Sequence, residues 1–263
     1  MYQWDAREYR DSSSNQKRWA LELLARLELQ GGERVLDIGC GDGEITAAIA
    51  RMAPRGFALG IDSSEDMVEL ASRQYPPDRC PNLGFLLKDA REIDFTGEFD
   101  AVFSSACLHW VKDHQPVLSG VRRCLKPGGR VLLQMGGRGN AATVLAAMEE
   151  VLRLPRWAGH FEGFDFPYGF YGPEEYRPWL ESRGFRVLRL ELVPREMRHH
   201  GGSDFAAWLR TTWLPYTQRV PESLRESFIA EVVAAHARVK PPEADGSVRF
   251  DMVRLEVDAL KGD

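Results

Sequence analysis

The chain has 263 residues, of which 44% are hydrophobic and 28% charged, and its formal net charge is −5 at pH 7. That length and apolar content suffice for one large domain with a substantial core. The acidic balance, without a block of Lys and Arg, argues against a nucleic-acid backbone as partner. No apolar run approaches the length of a membrane span. The chain therefore has the composition of an acidic globular protein.

The four cysteines are scattered without a Cys-x-x-Cys pair. This spacing favours free thiols over a disulfide framework or a zinc site, so no metal is expected. The segment after Met1 also lacks a basic stretch followed by an apolar one, as a secretory signal would require. We therefore predict a cytoplasmic protein.

The first predicted element is a helix that begins at Asn15 and ends before Gly31. Its apolar residues recur at helical spacing on one face: Trp19, Ala20, Leu23, Leu24 and Leu27. Gln16 lies in the first turn, beside the place where a ligand over the following turn would lie. The residues before the helix form a polar, aromatic-dotted arm.

A glycine-rich turn follows a short buried strand over residues 35–38. Gly39, Gly41 and Gly43 stand at alternate positions, and Ile45 begins a helical pattern. Such a turn lets a ligand approach bare backbone at a helix N-terminus. A dinucleotide would require the third glycine one residue later, where this chain has Glu44.

Further buried strands are predicted over residues 57–61, 83–87, 99–103 and 131–134, each separated from the next by an amphipathic helix or a loop. Repeated alternation of this kind indicates a doubly wound, mostly parallel α/β sheet. Asp62 follows the second strand at the spacing at which a carboxylate meets a ribose diol. Asp89 follows the third strand, where it could accept from an exocyclic amine. Ser63 and Ser64 could cap the next helix.

The fourth strand runs into a polar and aromatic segment that contains Ser104, His109 and Trp110. Such residues are unusual in a core. In open α/β sheets, ligands bind at the carboxyl ends of the strands. We therefore predict that this segment belongs to a site.

The second half begins with a helix over residues 142–154 and an aromatic loop over 155–172, which is expected to lie over a cavity. A helix from Pro173 follows, in which Pro178 predicts a break or kink. A strand is predicted over 186–193, a helix with Ser203 as its N-cap, a helix over 222–239 and a strand over 248–260. Residues 194–245 are thus predicted to be a helical insertion between two strands.

The motifs together resemble those of the class I S-adenosylmethionine-dependent methyltransferases. The run Asp37-Ile38-Gly39-Cys40-Gly41-Asp42-Gly43 is similar to their motif I. Residues 60–67, 89–90, 108–111 and 125–129 resemble the later motifs in the same order. The resemblance implies a Rossmann-like single domain over 1–263, with an N-terminal arm and helix (1–30), a cofactor-binding core (31–135) and a helical cap insertion (194–245).

Segments 14–16, 108–110, 208–216 and 241–247 resemble the trans-aconitate methyltransferase-like group, which is also similar to juvenile hormone acid methyltransferases. That group implies methylation of a carboxylate on a small molecule. Because a sulfonium already activates its methyl group, such a reaction requires positioning and desolvation more than a base. The helix carrying Trp208 and Trp213, with the arm from Tyr2 to Gln16, is expected to close over the carboxyl edge of the sheet.

The resemblance also assigns the site residues. Those expected to hold S-adenosylmethionine are Gln16, Asp37, Gly39, Cys40, Gly41, Asp62, Ser63, Met67, Asp89, Ala90 and Ser104. Those expected at the reacting groups are Gln16, His109 and Trp110, and those expected to contact the acceptor are His109, Trp110, Arg210 and Trp213. The cationic candidates for binding an acceptor carboxylate in the insertion are Arg195, Arg198, His199, His200, Arg210 and Arg219.

Several alternatives remain open from the sequence. His109 could bind a carboxylate or act as base for an amine or phenol acceptor. A non-catalytic S-adenosylmethionine-binding protein would keep the same cofactor motifs. An NAD-dependent oxidoreductase is disfavoured by the glycine spacing and by the lack of a Tyr-x-x-x-Lys pair. Both a monomer and a homodimer are compatible with the sequence.

Overall fold

A computed structural model of the chain describes residues 14–262, with side chains from Gln16 onward. The predicted N-terminal arm before residue 14 lies outside the described residues. The chain divides into two compact units. Among the described residues, the core unit contains Asn15–Arg138, Tyr168–Val193 and 254–262, and the second unit contains Gly139–Pro167 and Pro194–Val253.

The strands form a seven-stranded sheet in the order β3-β2-β1-β4-β5-β7-β6. Their bounds are β1 Arg34–Ile38, β2 Phe57–Asp62, β3 Leu83–Leu87, β4 Phe99–Ser105, β5 Leu125–Gly136, β6 Phe185–His199 and β7 Val248–Lys261. Strands β1 to β5 pair in parallel, and β7 runs antiparallel to β5. The strand order reverses between β1 and β4, which is where open α/β sheets form a ligand crevice. The predicted doubly wound, mostly parallel sheet is confirmed.

The helices are α1 Ser14–Leu24, α2 Glu44–Met52, α3 Glu65–Gln74, α4 Gln115–Cys124, α5 Ala142–Leu152, α6 Pro155–Ala158, α7 Pro173–Glu181, α8 Gly202–Thr212, α9 Leu214–Thr217 and α10 Glu222–Val239. In the core unit, α1 and α2 pack their apolar faces on one side of the sheet, around Leu23, Ile49 and Phe103. On the other side, α4 and α7 pack around Leu118 and Tyr176. The sheet is therefore covered on both faces, as its continuous apolar strands require.

The second unit contains α5, α6, α8, α9 and α10. A buried aromatic cluster forms its interior, with the ring of Phe205 5.4 Å from that of Phe250 and the ring of Trp208 5.1 Å from that of Phe250. His236 on α10 lies 3.4 Å from the hydroxyl of Thr143 on α5. Strand β6 continues to His199, so the helical segment between the two last strands begins at Gly202 and not at residue 194.

Two local predictions were wrong. The break that was one of the two possibilities at Pro178 does not occur: helix α7 continues through the proline, because the fully buried Tyr176 and Leu180 anchor it on both sides. Ser203 does not cap α8, because the first helical hydrogen bond runs from the Phe205 N–H to the Gly201 carbonyl, which makes Gly201 the cap, two residues earlier than expected. Residues 126–129 lie within β5, where the pairing with β4 shifts its register.

Among residues 14–262, no helix combines the length and apolar character needed to cross a membrane. The four cysteines are free thiols.

Candidate active site

The glycine turn joins the ends of β1 and β2. The backbone N–H groups of Gly39 and Cys40 donate to the Ile61 carbonyl at 2.8 and 3.0 Å. Gly39 has a φ of +75°, and a Cβ atom there would lie 2.2 Å from the Cys107 sulfur. Gly41 has a φ of +52°, but the described part of the chain places no heavy atom outside its neighbours within 4 Å of its Cβ position. The turn therefore needs Gly39 for packing and leaves open space over Gly41.

The carboxylate of Asp62 is fixed against this turn. Its Oδ2 accepts from the Gly41 N–H at 3.0 Å, and its Oδ1 accepts from the Ser64 N–H at 2.9 Å. Burial raises the pKa of Asp62, and these backbone hydrogen bonds oppose that rise. Because a carboxylate oxygen can accept more than one hydrogen bond, each Asp62 oxygen can also accept from a ligand hydroxyl.

Asp37 lies at the other end of the turn, where its carboxyl group joins β1 to α2. Its Oδ2 accepts from the Thr46 hydroxyl at 2.7 Å, and the side chain is buried. Burial raises the pKa of Asp37 to about 7, and the charge of Asp62 adds to the rise. Asp37 thus supports the turn from inside the protein.

Sequence reasoning missed Lys17, which ties α1 to the turn. Its ammonium lies 3.0 Å from the carboxylate of Asp42 and 2.5 Å from that of Glu44. The preceding residue, Gln16, has a buried Oε1 atom with no hydrogen-bond partner among the described residues. An unpartnered buried acceptor next to the turn is compatible with the ligand role expected of Gln16.

The remaining residues expected at the cofactor lie along the ends of β2, β3 and β4. Ser63 is exposed and Ala90 buried, and the buried Met67 donates its N–H to Ser64 Oγ at 3.4 Å, so Ser64 is the cap of α3. Asp89 is held by Arg91, whose Nη2 donates to it at 2.6 Å and whose hydrogen bonds lower its pKa.

Ser104 and Cys40 use their side chains inside the protein. The Ser104 hydroxyl donates to the Ile38 carbonyl at 2.8 Å and so joins β4 to β1. Burial raises the pKa of the Cys40 thiol well above its usual value, so this cysteine remains protonated. Both residues contribute to the walls of the turn through their packing.

His109 and Trp110 follow β4 at the carboxyl edge of the sheet. The Gly136 N–H donates to His109 Nδ1 at 3.4 Å, which leaves the proton of the neutral imidazole on Nε2. Burial lowers the pKa of His109 well below its usual value, and the positive charge of Arg254 lowers it further. The ring of Tyr168 lies 6.1 Å from His109 and 5.1 Å from Trp110. The structure therefore brings His109 and Trp110 together in an aromatic wall, with His109 as a neutral donor.

Arg254 is the second residue that sequence reasoning missed. It stands opposite Gly136 in the ladder between β5 and β7, and its guanidinium lies 5.6 Å from the ring centre of Trp19 on α1. Its side chain is only 2% exposed. The sequence does contain one sign of its burial: Arg254 is a charged residue among the apolar positions of a predicted strand.

Arg210 and Trp213, which were expected to contact the acceptor, lie in the second unit. Arg210 forms two hydrogen bonds with the Glu226 carboxylate, at 2.8 and 2.7 Å. Trp213 is buried, with its ring 5.8 Å from that of Trp208. The roles of both residues stay predictions.

Other cationic candidates in the insertion also have partners within the second unit. Arg219 donates to the carbonyls of His160 and Glu162 at 2.7 and 3.0 Å. His199 lies 3.4 Å from Asp204, and Arg198 pairs with Asp245.

Comparison with known proteins gives a consistent result. A family described as "Methyltransferase domain" matches residues 35–129. A trans-aconitate 2-methyltransferase of Agrobacterium fabrum is 31% identical, over 98% of this chain and 99% of the relative. An uncharacterized methyltransferase of Schizosaccharomyces pombe is also 31% identical, over 98% of both chains. The crystal structure of YcgJ from Bacillus subtilis has a TM-score of 0.64 at 19% identity and covers 94% of this chain and 99% of its own.

The switch-point crevice, the glycine turn and the carboxylate after β2 define a nucleoside-binding α/β enzyme. With two relatives at 31% identity over nearly the whole chain, the family is established. The chain belongs to the class I S-adenosylmethionine-dependent methyltransferases.

Proposed function

We propose that this enzyme transfers the methyl group of S-adenosylmethionine to a carboxylate oxygen of a small acid and so forms a methyl ester. The methyltransferase class is given by the family. The carboxylate acceptor is supported by the names of relatives such as the trans-aconitate 2-methyltransferase of Agrobacterium fabrum.

The residues around the glycine turn fit the cofactor. Asp62 presents two oxygens that the Gly41 and Ser64 N–H groups orient, a suitable arrangement for a ribose diol. The open space over Gly41 admits a ligand to bare backbone. When bound, the cofactor supplies an activated methyl group. Gln16 would lie near it, on the helix that Lys17 ties to the turn.

The observation that carries the acceptor proposal is the state of His109. Its Nδ1 accepts from the Gly136 N–H, and its pKa lies well below neutral pH, so it is a neutral donor through Nε2. A group in this tautomer can hold an acceptor carboxylate, but it cannot take a proton from an amine or phenol at the same nitrogen. A carboxylate needs no such base, because it is already ionised. Desolvation by Trp110 and Tyr168 would then favour its attack.

The test is a transfer assay with isotope-labelled methyl donor over a panel of small carboxylic acids, with amines and phenols as controls. We expect base-labile methyl esters from at least one acid. Asp62→Ala should weaken cofactor binding by roughly 10- to 150-fold, as expected for lost charged hydrogen bonds, whereas Asp258→Asn at the opposite end of the sheet should not. Label in amines or phenols alone would overturn the carboxylate proposal, and unchanged cofactor binding by Asp62→Ala would overturn the role of Asp62.

A further inference from the structure

A buried histidine to which the proposed function gives no role lies behind the turn that carries His109. His114 directly precedes α4 and is 1% exposed. Aromatic rings surround its imidazole, with the ring centres of Tyr171 and Tyr176 at 5.0 and 5.4 Å. Because an unsatisfied polar atom is costly inside a protein, both nitrogens of a buried imidazole require partners. The identity of these partners therefore indicates what His114 does.

The two ring nitrogens of His114 have different partners. Nε2 lies 2.8 Å from the Leu108 carbonyl oxygen, which can only accept, so Nε2 carries the proton. Nδ1 lies 2.5 Å from the Tyr176 hydroxyl, which therefore donates to it. Burial lowers the pKa of His114 and raises that of Tyr176, so both groups are neutral. The Tyr176 hydroxyl thus sets the tautomer of His114, and this tautomer holds the Leu108 carbonyl.

The Leu108 carbonyl belongs to the short helical turn that carries His109 and Trp110. The next carbonyl along the chain, that of His109, accepts from the Gly169 N–H at 2.9 Å. Two successive carbonyls of this turn are therefore held by groups outside it, one by His114 and one by Gly169. These hydrogen bonds fix the direction in which the His109 side chain leaves the backbone.

Gly169 packs directly against the same place. A Cβ atom at this glycine would lie 2.6 Å from the Val111 carbonyl oxygen and 3.3 Å from His114 Nε2. The segment that donates to His109 is therefore in contact with the imidazole that donates to Leu108. The two restraints on the turn support each other.

The contacts of Tyr176 also lead to the ring of His109. The Tyr176 hydroxyl lies 3.6 Å from the sulfur of Met135 on β5. The residue after Met135 is Gly136, whose N–H donates to His109 Nδ1. Tyr176 is thus connected to the backbone of the turn through His114 and to the ring of His109 through β5. All of these residues belong to the core unit.

We propose that His114 is a positioning residue for methyl transfer, which holds the turn so that His109 and Trp110 face the acceptor. The inference rests on the proposed function, in which His109 holds the attacking carboxylate. Because both nitrogens of His114 are occupied, it acts through the Leu108 carbonyl and not on the acceptor itself. Methyl transfer to a carboxylate depends on alignment, and a misplacement of about 1 Å can reduce the rate by about 100-fold.

The kinetic test uses trans-aconitate as the acceptor. His114→Leu fills a similar volume but cannot donate to Leu108, so we expect kcat to fall by about 10- to 100-fold, with KM and the Kd of S-adenosylmethionine within about threefold. His114→Gln should keep kcat within about fivefold, because its amide N–H can reach the same carbonyl. Tyr176→Phe leaves the tautomer of His114 unfixed and should reduce kcat by about 3- to 10-fold.

The comparison of glutamine with leucine separates positioning from stability. A buried amide is costlier than a buried alkyl group, so a purely structural role would favour the leucine variant. The matched control is Val121→Ala, at a buried position further along α4. This substitution opens a cavity and lowers the unfolding temperature, but it should keep kcat within about twofold.

A second readout requires no acceptor. Proton–nitrogen NMR of protein with nitrogen-labelled histidine and bound S-adenosylhomocysteine reports the tautomer of each imidazole. We expect His109 and His114 of the wild type to carry their proton on Nε2. His114→Leu should shift or broaden the nitrogen signals of His109, whereas Val121→Ala should leave them unchanged. If His114→Leu does not fold, Tyr176→Phe takes its place in both measurements.

The outcomes separate the two proposals. Equal kcat for the glutamine and leucine variants, an equal loss in Val121→Ala, or His109 signals that do not respond to His114→Leu would overturn the role of His114. A wild-type enzyme that methylates no carboxylic acid overturns the proposed function alone, because the nitrogen signals decide the role of His114 without an acceptor.

Discussion

Asp37 illustrates how a single buried residue makes the stability of the fold around the glycine turn depend on pH. Its folded-state pKa of about 7 lies above the ordinary value of 3.8, because burial penalises the charged form. Between those values the folded protein holds a proton that the unfolded chain has released. Stability therefore falls as pH rises from about 4 to about 7, and it changes little outside that window through this group.

We expect Asp37→Asn to remove this fall while keeping an acceptor for Thr46. The free energy of unfolding of the variant, relative to the wild type, should increase by up to roughly 4 kcal/mol between pH 4 and pH 8. Urea unfolding of both proteins at intervals of half a pH unit measures the difference. Parallel curves for the two proteins would show that Asp37 ionises normally.

Gly39 and Gly41 of the glycine turn are expected to have different roles, one in packing and one in ligand access. Gly39→Ala would place a methyl group against the Cys107 sulfur at a positive φ, and we expect a loss of about 2–4 kcal/mol of stability from overpacking and backbone strain. Gly41→Ala would enter open space, so it should cost only about 1–2 kcal/mol while weakening cofactor binding at least tenfold. Thermal unfolding and calorimetric titration with S-adenosylmethionine distinguish the two. Normal cofactor affinity in Gly41→Ala would mean that the ligand does not approach this backbone.

At the residue scale, the sequence predicted the residues whose place is set by short motifs along the chain. The positions of Gly41 and Asp62 followed from the spacing of the motifs along the chain. Arg254 did not, because a charged residue within a strand reads as solvent-facing. Only the packing of α1 against that face, seen in the contact of Trp19 with Arg254, shows that the face is covered. Lys17 was missed because its partners Asp42 and Glu44 are distant in sequence.

At the scale of elements, strands were predicted more reliably than the details of helices. The ranges 83–87 for β3 and 222–239 for α10 were predicted without error, because short apolar runs and clear helical spacing are local signals. Pro178 was expected to break or kink α7, yet the helix continues through it without a break. The energy that holds α7 together comes from burying Tyr176 and Leu180, which the local sequence does not reveal.

Helix α1 is held against the glycine turn by the ion pairs of Lys17 with Asp42 and Glu44. Lys17 is 19% exposed, and its partner Asp42 8%. We expect Lys17→Met to weaken S-adenosylmethionine binding by about 3- to 10-fold, because the helix that carries Gln16 is then less firmly held. Titration calorimetry at low and high salt measures this, and the difference from wild type should shrink at high salt.

The matched control for this prediction is Arg18→Met on the same helix. Arg18 is 62% exposed and lies 3.9 Å from Glu22, so its loss should change cofactor affinity little. Equal effects of the two substitutions would mean that helix propensity or net charge, and not the tie to the turn, sets the affinity.

At the scale of the whole molecule, the two units are connected through continuous strands. Over residues 15–262, the chain passes between them after residues 138, 167, 193 and 253. Two of these crossings lie inside strands, one in β6 and one in β7. A break in order at either crossing would interrupt a strand, so we expect the two units to unfold together. This continuity supports the prediction of a single domain.

Calorimetric unfolding tests that prediction. We expect one cooperative transition, with equal calorimetric and van't Hoff enthalpies. S-adenosylmethionine at about 100 times its dissociation constant should add about 2.7 kcal/mol of stability and raise the midpoint of the whole transition by roughly 5–10 °C. Because Asp62 and Gly41, the residues proposed to bind the cofactor, belong to the core unit, a shift of the entire transition would demonstrate that the second unit unfolds with it. Two transitions, of which only one moves with the cofactor, would show instead that the chain contains two domains of independent stability.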